Sequence, residues 1–224
     1  MKKINVAIDG PAGAGKSSIA KLTASELGYI YVDTGALYRT IALYMLENHI
    51  ENENDIVAAL GQCKVSLRYA DGQQRVFLAD RDVSEDIRKP EVSMAASKVS
   101  AIPQVRSHLL SLQKKMAEEN NVIMDGRDIG TVVLPNADVK IFLTASPQER
   151  ANRRYKELSL KENCPTYEQI LNDIIERDKN DMNRSVAPLK QADDAVLVDT
   201  TSLDLQQSAA KIREIIASKI GGTR

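Results

Sequence analysis

Residues 10–17, GPAGAGKS, constrain the fold of this chain most strongly because they fit the pattern Gly-x-x-x-x-Gly-Lys-Ser/Thr. They follow an apolar run at residues 4–8 and lead into a segment with a helical pattern, which is the context that a phosphate-binding loop requires. Glycines let the backbone bend around a phosphate with its N–H groups pointing inward, and the helix adds its positive N-terminal end. A Gly-rich turn that binds nothing would not require a strand, the fixed motif positions and a helix to occur together. We therefore expect a nucleoside triphosphate at residues 10–18.

Two side chains of this loop have separate expected roles. Lys16 supplies a positive charge for the β- and γ-phosphates, and the Ser17 hydroxyl is a ligand for Mg²⁺. The residues expected to bind ATP are Gly10, Pro11, Ala12, Gly13, Ala14, Gly15, Lys16, Ser17 and Ser18.

Composition limits the other possibilities. The 224 residues can form one main domain with a small insertion, and 30 Lys and Arg against 31 Asp and Glu create no general field for a polyanion. Cys63 and Cys164 lack metal-ligand spacing and suit a reducing compartment. No apolar run reaches the length of a membrane span. The first predicted strand and the phosphate loop begin almost at once, so we expect no signal peptide. We expect a cytoplasmic monomer that binds neither nucleic acid nor membrane.

Short apolar runs alternate with helical patterns, which predicts an α/β fold with a buried parallel sheet. Capping signals predict helices at 147–160 and 167–182, and the apolar stripe of residues 205–216 predicts a terminal helix followed by a frayed tail. One segment differs, because residues 64–69 and 75–78 alternate around an Asp-Gly turn. We interpret residues 63–90 as a small antiparallel insert.

Asp125 ends the apolar run at residues 122–124, where a P-loop protein places an acidic group near Mg²⁺. Taken alone, it is as well explained as the cap of the turn at Gly126. Arg127 and Asp128 follow on the same loop, and loops at the carboxyl edge of a parallel sheet carry ligands, which favours the metal role.

Arginines recur in three further places. Arg39 follows a predicted helix start at residues 33–34 and could hold a second anion, although a capped helix with a solvated arginine is the better explanation when the segment is taken alone. Arg177, Asp181 and Arg184 fall on one helical face, where an intrahelical ion pair is the simpler explanation. On another helix, like charges repel unless an anion neutralises them, and a bound triphosphate would do so; these residues are Arg150, Arg153 and Arg154.

Taken together, GPAGAGKS, VDTGALYR, DGRDIGTVV, SPQERANRR and ERDKNDMNRSVAPL resemble the bacterial cytidylate kinase family from residue 4 to about residue 200. The resemblance implies a three-layer P-loop kinase fold with a five-stranded parallel sheet, a helical lid and a small antiparallel β insert in the NMP-binding region. Within one chain, 1–224, it implies a core (1–35, 105–145, 185–220), an NMP-binding region (36–104) and a lid (147–166). Thr34 is a small departure, since serine is common there.

The resemblance also implies an activity, the transfer of a phosphoryl group from ATP to CMP or dCMP with Mg²⁺, and a set of roles. It directs Thr34, Arg39 and Arg127 to the acceptor phosphate, and Arg177 and Asp181 to the sugar. The residues directed to cytosine are Ser97, Arg106, Asp128 and Arg184, and those of the lid are Arg150, Arg153 and Arg154.

Two alternatives stay open from the sequence. One is another small-molecule P-loop kinase with a different acceptor pocket. The other is a nucleotide-binding switch or a nucleic-acid ATPase, for which the chain offers neither a basic stripe nor a guanine-reading motif. His49 and His108 have no nucleophile or paired ligand around them in sequence, so neither is assigned a catalytic role.

Overall fold

The computed structural model describes residues 2–70, 73–159 and 164–221. The chain divides into two compact units: unit 1 comprises Met1–Tyr31 and Asn120–Arg224, and unit 2 comprises Val32–Glu119. The turn of the insert at residues 71–72, the end of the predicted helix at 160 and the tail at 222–224 lie outside the described residues.

Unit 1 is built on a five-stranded sheet in the order β2-β6-β1-β7-β8, and strand β2 crosses the boundary of the two units. Strand β1 pairs in parallel with β6 and β7, and β7 pairs in parallel with β8. The strands are β1 (Asn5–Asp9), β2 (Ile30–Asp33), β6 (Val122–Gly126), β7 (Val139–Thr144) and β8 (Val196–Asp199). The helices are α1 (Lys16–Leu27), α6 (Pro147–Leu158), α7 (Tyr167–Met182) and α8 (Leu205–Gly221).

The core of unit 1 follows from its apolar strands. Val6, Ile8 and Ile141 are buried and pack in one cluster with side chains of α1 and α8. Nonpolar surface removed from water contributes roughly 25 cal/mol per Å², so this cluster fixes the sheet whose carboxyl edge carries the loops after β1, β6 and β7.

Unit 2 combines helices with a separate three-stranded antiparallel sheet, in the order β3-β4-β5. Its elements are α2 (Thr34–Glu47), α3 (Glu53–Ala59), β3 (Val65–Ala70), β4 (Gln73–Leu78), β5 (Arg81–Asp82), α4 (Pro90–Val99) and α5 (Pro103–Glu119), with a 3-10 turn at Asp86–Arg88. The parallel sheet and the separate antiparallel insert are thus both confirmed. The boundary differs from the sequence interpretation, because Val105 and Leu109 of α5 pack in the core of unit 2 rather than in the parallel-sheet core.

The capping signals act as the sequence indicated. Ser146 accepts a hydrogen bond from the Glu149 N–H and Pro147 occupies the first turn of α6. Thr166 and Gln169 form a reciprocal capping box at the start of α7. These two starts position the arginines of α6 and α7.

Candidate functional site

The loop after β1 depends on two glycines for its path. A Cβ on Gly10 would lie 1.9 Å from the Leu143 carbonyl oxygen, so only glycine lets this loop pass β7. Gly15 precedes α1 with a φ of 87°, in the left-handed region that glycine adopts without strain. The loop therefore reaches the N-terminus of α1 with its backbone N–H groups available to an anion.

Lys16 is enclosed at the start of α1, and its Nζ donates to the Pro11 carbonyl oxygen at 2.7 Å. The pKa of Lys16 is lowered to about 7, chiefly by burial and also by the charges of Arg127 and Arg177, while the charges of Asp125 and Asp9 oppose the change. A phosphate in this loop would favour the charged ammonium again. The expected role of Lys16 toward an anion is consistent with this position and stays a prediction.

Asp125 lies at the end of β6 and is held by two hydroxyl groups. The Ser17 hydroxyl donates to Oδ2 and the Tyr31 hydroxyl to Oδ1, both at 2.9 Å. Among the described residues no cluster of three or more His, Cys, Asp or Glu side chains could hold a metal by itself. Mg²⁺ in phosphoryl-transfer enzymes uses one or two protein oxygens together with substrate phosphates, so the Ser17 and Asp125 oxygens fit this ion.

The loop after β6 carries an ion-pair network. The Arg127 Nε donates to Asp181 Oδ2 at 2.9 Å, and Arg184 pairs with Asp181 Oδ1. Burial opposes ionisation of Asp181, but the charges of Arg127 and Arg184 hold its pKa below the usual range. Asp128 is itself buried on this loop. Three residues that the sequence singled out thus meet in unit 1: Arg127 of this loop, Asp181 in the last turn of α7 and Arg184 just after that helix. Asp128 follows Arg127 on the same loop.

The three arginines of α6 differ in what they contact. Arg150 is buried and donates to the Ala145 and Ala12 carbonyl oxygens and to Asp178. Arg153 pairs with Glu149 and donates to the Thr200 carbonyl oxygen at 2.6 Å. Arg154 is exposed and pairs with Glu157. Of these three arginines, Arg153 and Arg154 have side chains that are partly exposed to solvent.

In unit 2, the predicted residues Thr34 and Arg39 both lie on α2, next to the residue that caps this helix. Asp33 caps Thr34 and the first turn by accepting from the Ala36 N–H, and its other oxygen pairs with Arg39 Nη2 at 2.8 Å. The Arg39 Nε is buried without a hydrogen-bond partner among the described residues. A buried unsatisfied donor beside a helix N-terminus is suited to an anionic ligand.

The other two predicted residues of unit 2 are linked through Ser100. The Ser100 hydroxyl donates to the Ser97 carbonyl oxygen, and the Ser100 carbonyl oxygen accepts from Arg106 Nη1. The Arg106 guanidinium also lies 5.5 Å from the centre of the Tyr38 ring. This distance is within the range of a cation–π interaction, which attracts the guanidinium to the ring.

Sequence reasoning missed three residues that support these groups: Asp9, Tyr31 and Asp178. Asp9 directly precedes the glycine-rich motif, so its position next to the loop was readable although its partners were not. Tyr31 and Asp178 lie on a strand and a helix whose pattern gave no such signal.

Comparison with known proteins agrees with the chain's motifs. The profile of the cytidylate kinase family matches residues 6–218. A cytidylate kinase of Caldicellulosiruptor bescii is 53% identical over 96% of this chain and 96% of its own length. One of Carboxydothermus hydrogenoformans is 48% identical over 96% of this chain and 98% of its own. A crystal structure of an uncharacterized protein from Eubacterium ventriosum shares the fold, with a TM-score of 0.53 at 13% identity, over 96% of this chain and 99% of that one.

Proposed function

This chain belongs to the cytidylate kinase family, and we infer that it transfers the γ-phosphate of ATP to CMP or dCMP, giving ADP and CDP or dCDP in pyrimidine nucleotide metabolism. The structural observation that best supports this activity is the pairing of β1 with β6, in which Asp9 lies opposite Gly126. The phosphate loop and the Arg127–Asp128 loop therefore leave neighbouring strands at one edge of the sheet. This arrangement supports a donor site and acceptor-binding groups next to each other at that edge.

For the donor, we propose that ATP is held by residues 10–18 and that Mg²⁺ binds at Ser17 and Asp125. When bound, Mg²⁺ would neutralise charge on the phosphate oxygens. Lys16 contributes a preorganised positive charge in a buried position, where electrostatic interactions are stronger than in water. The hydroxyl of Tyr31 holds the Asp125 carboxylate in place.

For the acceptor, Arg127, Thr34 and Arg39 are proposed to bind the phosphate of CMP. The unsatisfied Nε of Arg39 supports this role. The attacking group is a phosphate oxygen that is already ionised at neutral pH, so the reaction needs orientation and charge neutralisation more than a general base.

The sugar and base are proposed to be recognised by polar and charged groups, of which Asp181 and Arg184 already form an ion pair. Arg177 and Asp181 bind the sugar. Asp128 accepts a hydrogen bond from the cytosine N4 amine, while Arg106 and Arg184 donate to N3 and O2, and Ser97 contributes to the same pocket. Because Asp181 bridges Arg127 and Arg184, residues proposed for phosphate, sugar and base hold one another in place.

The lid is proposed to comprise α6 and its arginines, which neutralise both phosphate chains and exclude water. Arg153 and Arg154 have partly exposed side chains, which favours this role for them, while Arg150 is buried and paired with Asp178.

Among the described residues, no helix combines the length and apolar character that a bilayer crossing needs. We propose a monomer that acts in the cytoplasm, where its nucleotide substrates occur; light scattering on the purified protein tests its mass.

A coupled assay of ADP release with CMP, dCMP, UMP, AMP and GMP tests the activity. We expect CMP and dCMP to give the highest kcat/KM and the reaction without acceptor to be slow. ADP release that none of the five acceptors stimulates would favour a nucleotide-binding switch, and a preference for a non-nucleotide acceptor would favour another small-molecule kinase.

A further inference from the structure

Asp9, the last residue of β1, has both carboxylate oxygens committed to one loop. Oδ1 accepts from the Ile129 N–H and Oδ2 from the Gly130 N–H, each at 2.7 Å. The side chain is 4% exposed. An acid adjoining the phosphate loop thus holds the backbone that follows Asp128.

These two N–H groups open the π-helical turn Ile129–Val133, for which Asp128 is the N-terminal flanking residue with φ −146° and ψ 26°. Two adjacent N–H groups aimed at one carboxylate fix the peptide planes on the C-terminal side of Asp128. The contact is tight, because a Cβ on Gly130 would lie 3.3 Å from Asp9 Oδ2 and 3.2 Å from the Lys140 Cδ. The direction of the Asp128 side chain therefore depends on Asp9.

The buried position of Asp9 disfavours the ionised form of its carboxylate. The pKa of Asp9 is raised to about 6, chiefly by burial and also by the Asp128 charge, although the two N–H groups and the Lys16 charge oppose this. A further charged residue, Lys140 of β7, also lies close to Gly130. A buried acid that the fold disfavours is more readily explained by a requirement of the site than by stability.

We propose that Asp9 is a positioning residue for acceptor recognition, which orients Asp128 and Arg127 toward CMP through the backbone of Ile129 and Gly130. The inference rests on the proposed roles of Asp128 and Arg127. It assigns to the residue before the phosphate loop a function in choosing the acceptor rather than in binding ATP.

The variant Asp9→Asn tests this directly. An amide can accept from one of the two N–H groups but opposes the other with its own N–H, so the loop must shift. We expect the KM for CMP and the Kd for CMP alone to rise about tenfold or more, as for the loss of other supporting contacts. The KM for ATP and the free energy of unfolding should change little, and the CMP/UMP ratio of kcat/KM should fall.

Two further variants make the test decisive. Asp138→Asn is the matched control, since Asp138 also accepts from a backbone N–H, that of Asn5, at the opposite edge of the sheet. Gly130→Ala disturbs the same contact from the other side and serves if Asp9→Asn does not fold. We expect Asp138→Asn to behave as the wild type and Gly130→Ala to reproduce the selective rise in the KM for CMP.

Equal increases in both KM values, or wild-type kinetics in Asp9→Asn, would overturn the inference. Comparison with Asp128→Asn separates it from the proposed function. If Asp128→Asn loses selectivity while Asp9→Asn does not, only the role of Asp9 is wrong. If neither variant changes the CMP/UMP ratio, the proposed role of Asp128 in the base pocket fails as well.

Discussion

Arg150 on α6 and Asp178 on α7 form a bidentate ion pair, with Nη1–Oδ1 at 3.1 Å and Nη2–Oδ2 at 2.6 Å. The same guanidinium donates to the carbonyl oxygen of Ala12 in the phosphate loop. The C=O and N–H groups of one peptide point in opposite directions, so this bond directs the Gly13 N–H away from Arg150. Asp178 thus fixes an arginine that in turn fixes the phosphate loop.

Replacing Asp178 with asparagine should destabilise the protein, because Arg150 would keep its buried charge without a compensating carboxylate. Removing one partner of a buried pair costs about 3–5 kcal/mol, and the partial exposure of Asp178 places the expected loss near the lower end. Denaturant unfolding measures it. Asp173→Asn, at an exposed acid on the same helix, is the control; equal stability of the two variants would contradict the structural role of the pair.

The two ends of α6 should respond differently to ligands. Its first turn is already fastened by Ser146 and Arg150, whereas Arg154 near its C-terminus is exposed. A bisubstrate analogue should therefore slow amide hydrogen exchange most at residues 153–158. Unchanged exchange there, measured by mass spectrometry with and without the analogue, would argue against a closing lid.

Lys16→Ala should abolish most phosphoryl transfer while leaving the fold intact. A preorganised charge aimed at a developing anion contributes about 3–4 kcal/mol, which corresponds to a decrease in kcat of roughly 10²–10³-fold. The exposed Lys21 on the same helix gives the matched variant Lys21→Ala, which should keep wild-type kcat. Activity of Lys16→Ala within a few-fold of wild type would remove Lys16 from the catalytic site.

Asp128→Asn should narrow the preference for CMP over UMP. Uracil presents an O4 acceptor and an N3–H donor where cytosine has the opposite, and each mismatch against Asp128 and the arginines should cost about 1–3 kcal/mol. The amide of asparagine can donate to O4, so CMP efficiency should fall more than UMP efficiency. The measurement is kcat/KM for both substrates in both proteins, and a constant ratio would leave Asp128 as a structural residue of its turn.

Asp181→Asn should weaken the use of CMP and dCMP and leave ATP binding nearly unchanged, because Asp181 holds Arg127 and Arg184. It should also alter the response to acid. The folded-state pKa of Asp181 is lowered, so its contribution to stability is present above the unfolded-state pKa and is lost as the pH falls through the folded-state value. Urea unfolding from neutral to acidic pH should show a shallower loss in the variant; parallel curves would exclude a stabilising role for its charge.

Local patterns predicted the elements well because their causes are local. The glycines before Lys16, the caps at Ser146 and Thr166, and the apolar strand runs all act over a few residues. Helix α3 (Glu53–Ala59) was not anticipated, since its short apolar pattern gives little periodicity. The assignment of α5 to unit 2 was also missed, because a helix's own pattern shows that one face is buried but not against what.

The sequence by itself determined that this chain has a phosphate loop between strand and helix, an α/β order with an antiparallel insert, and the motifs of its family. Only the tertiary structure decided the partners of the charged groups: Asp9 with backbone N–H groups 120 and 121 positions away, Arg150 with Asp178 across 28, and Arg127 with Asp181 across 54. Backbone conformation and capping depend on neighbours along the chain, and sequence spacing records them. An ion pair or a carboxylate's choice of N–H donors depends on which strands adjoin and where their loops emerge, which is settled by packing of the whole sheet.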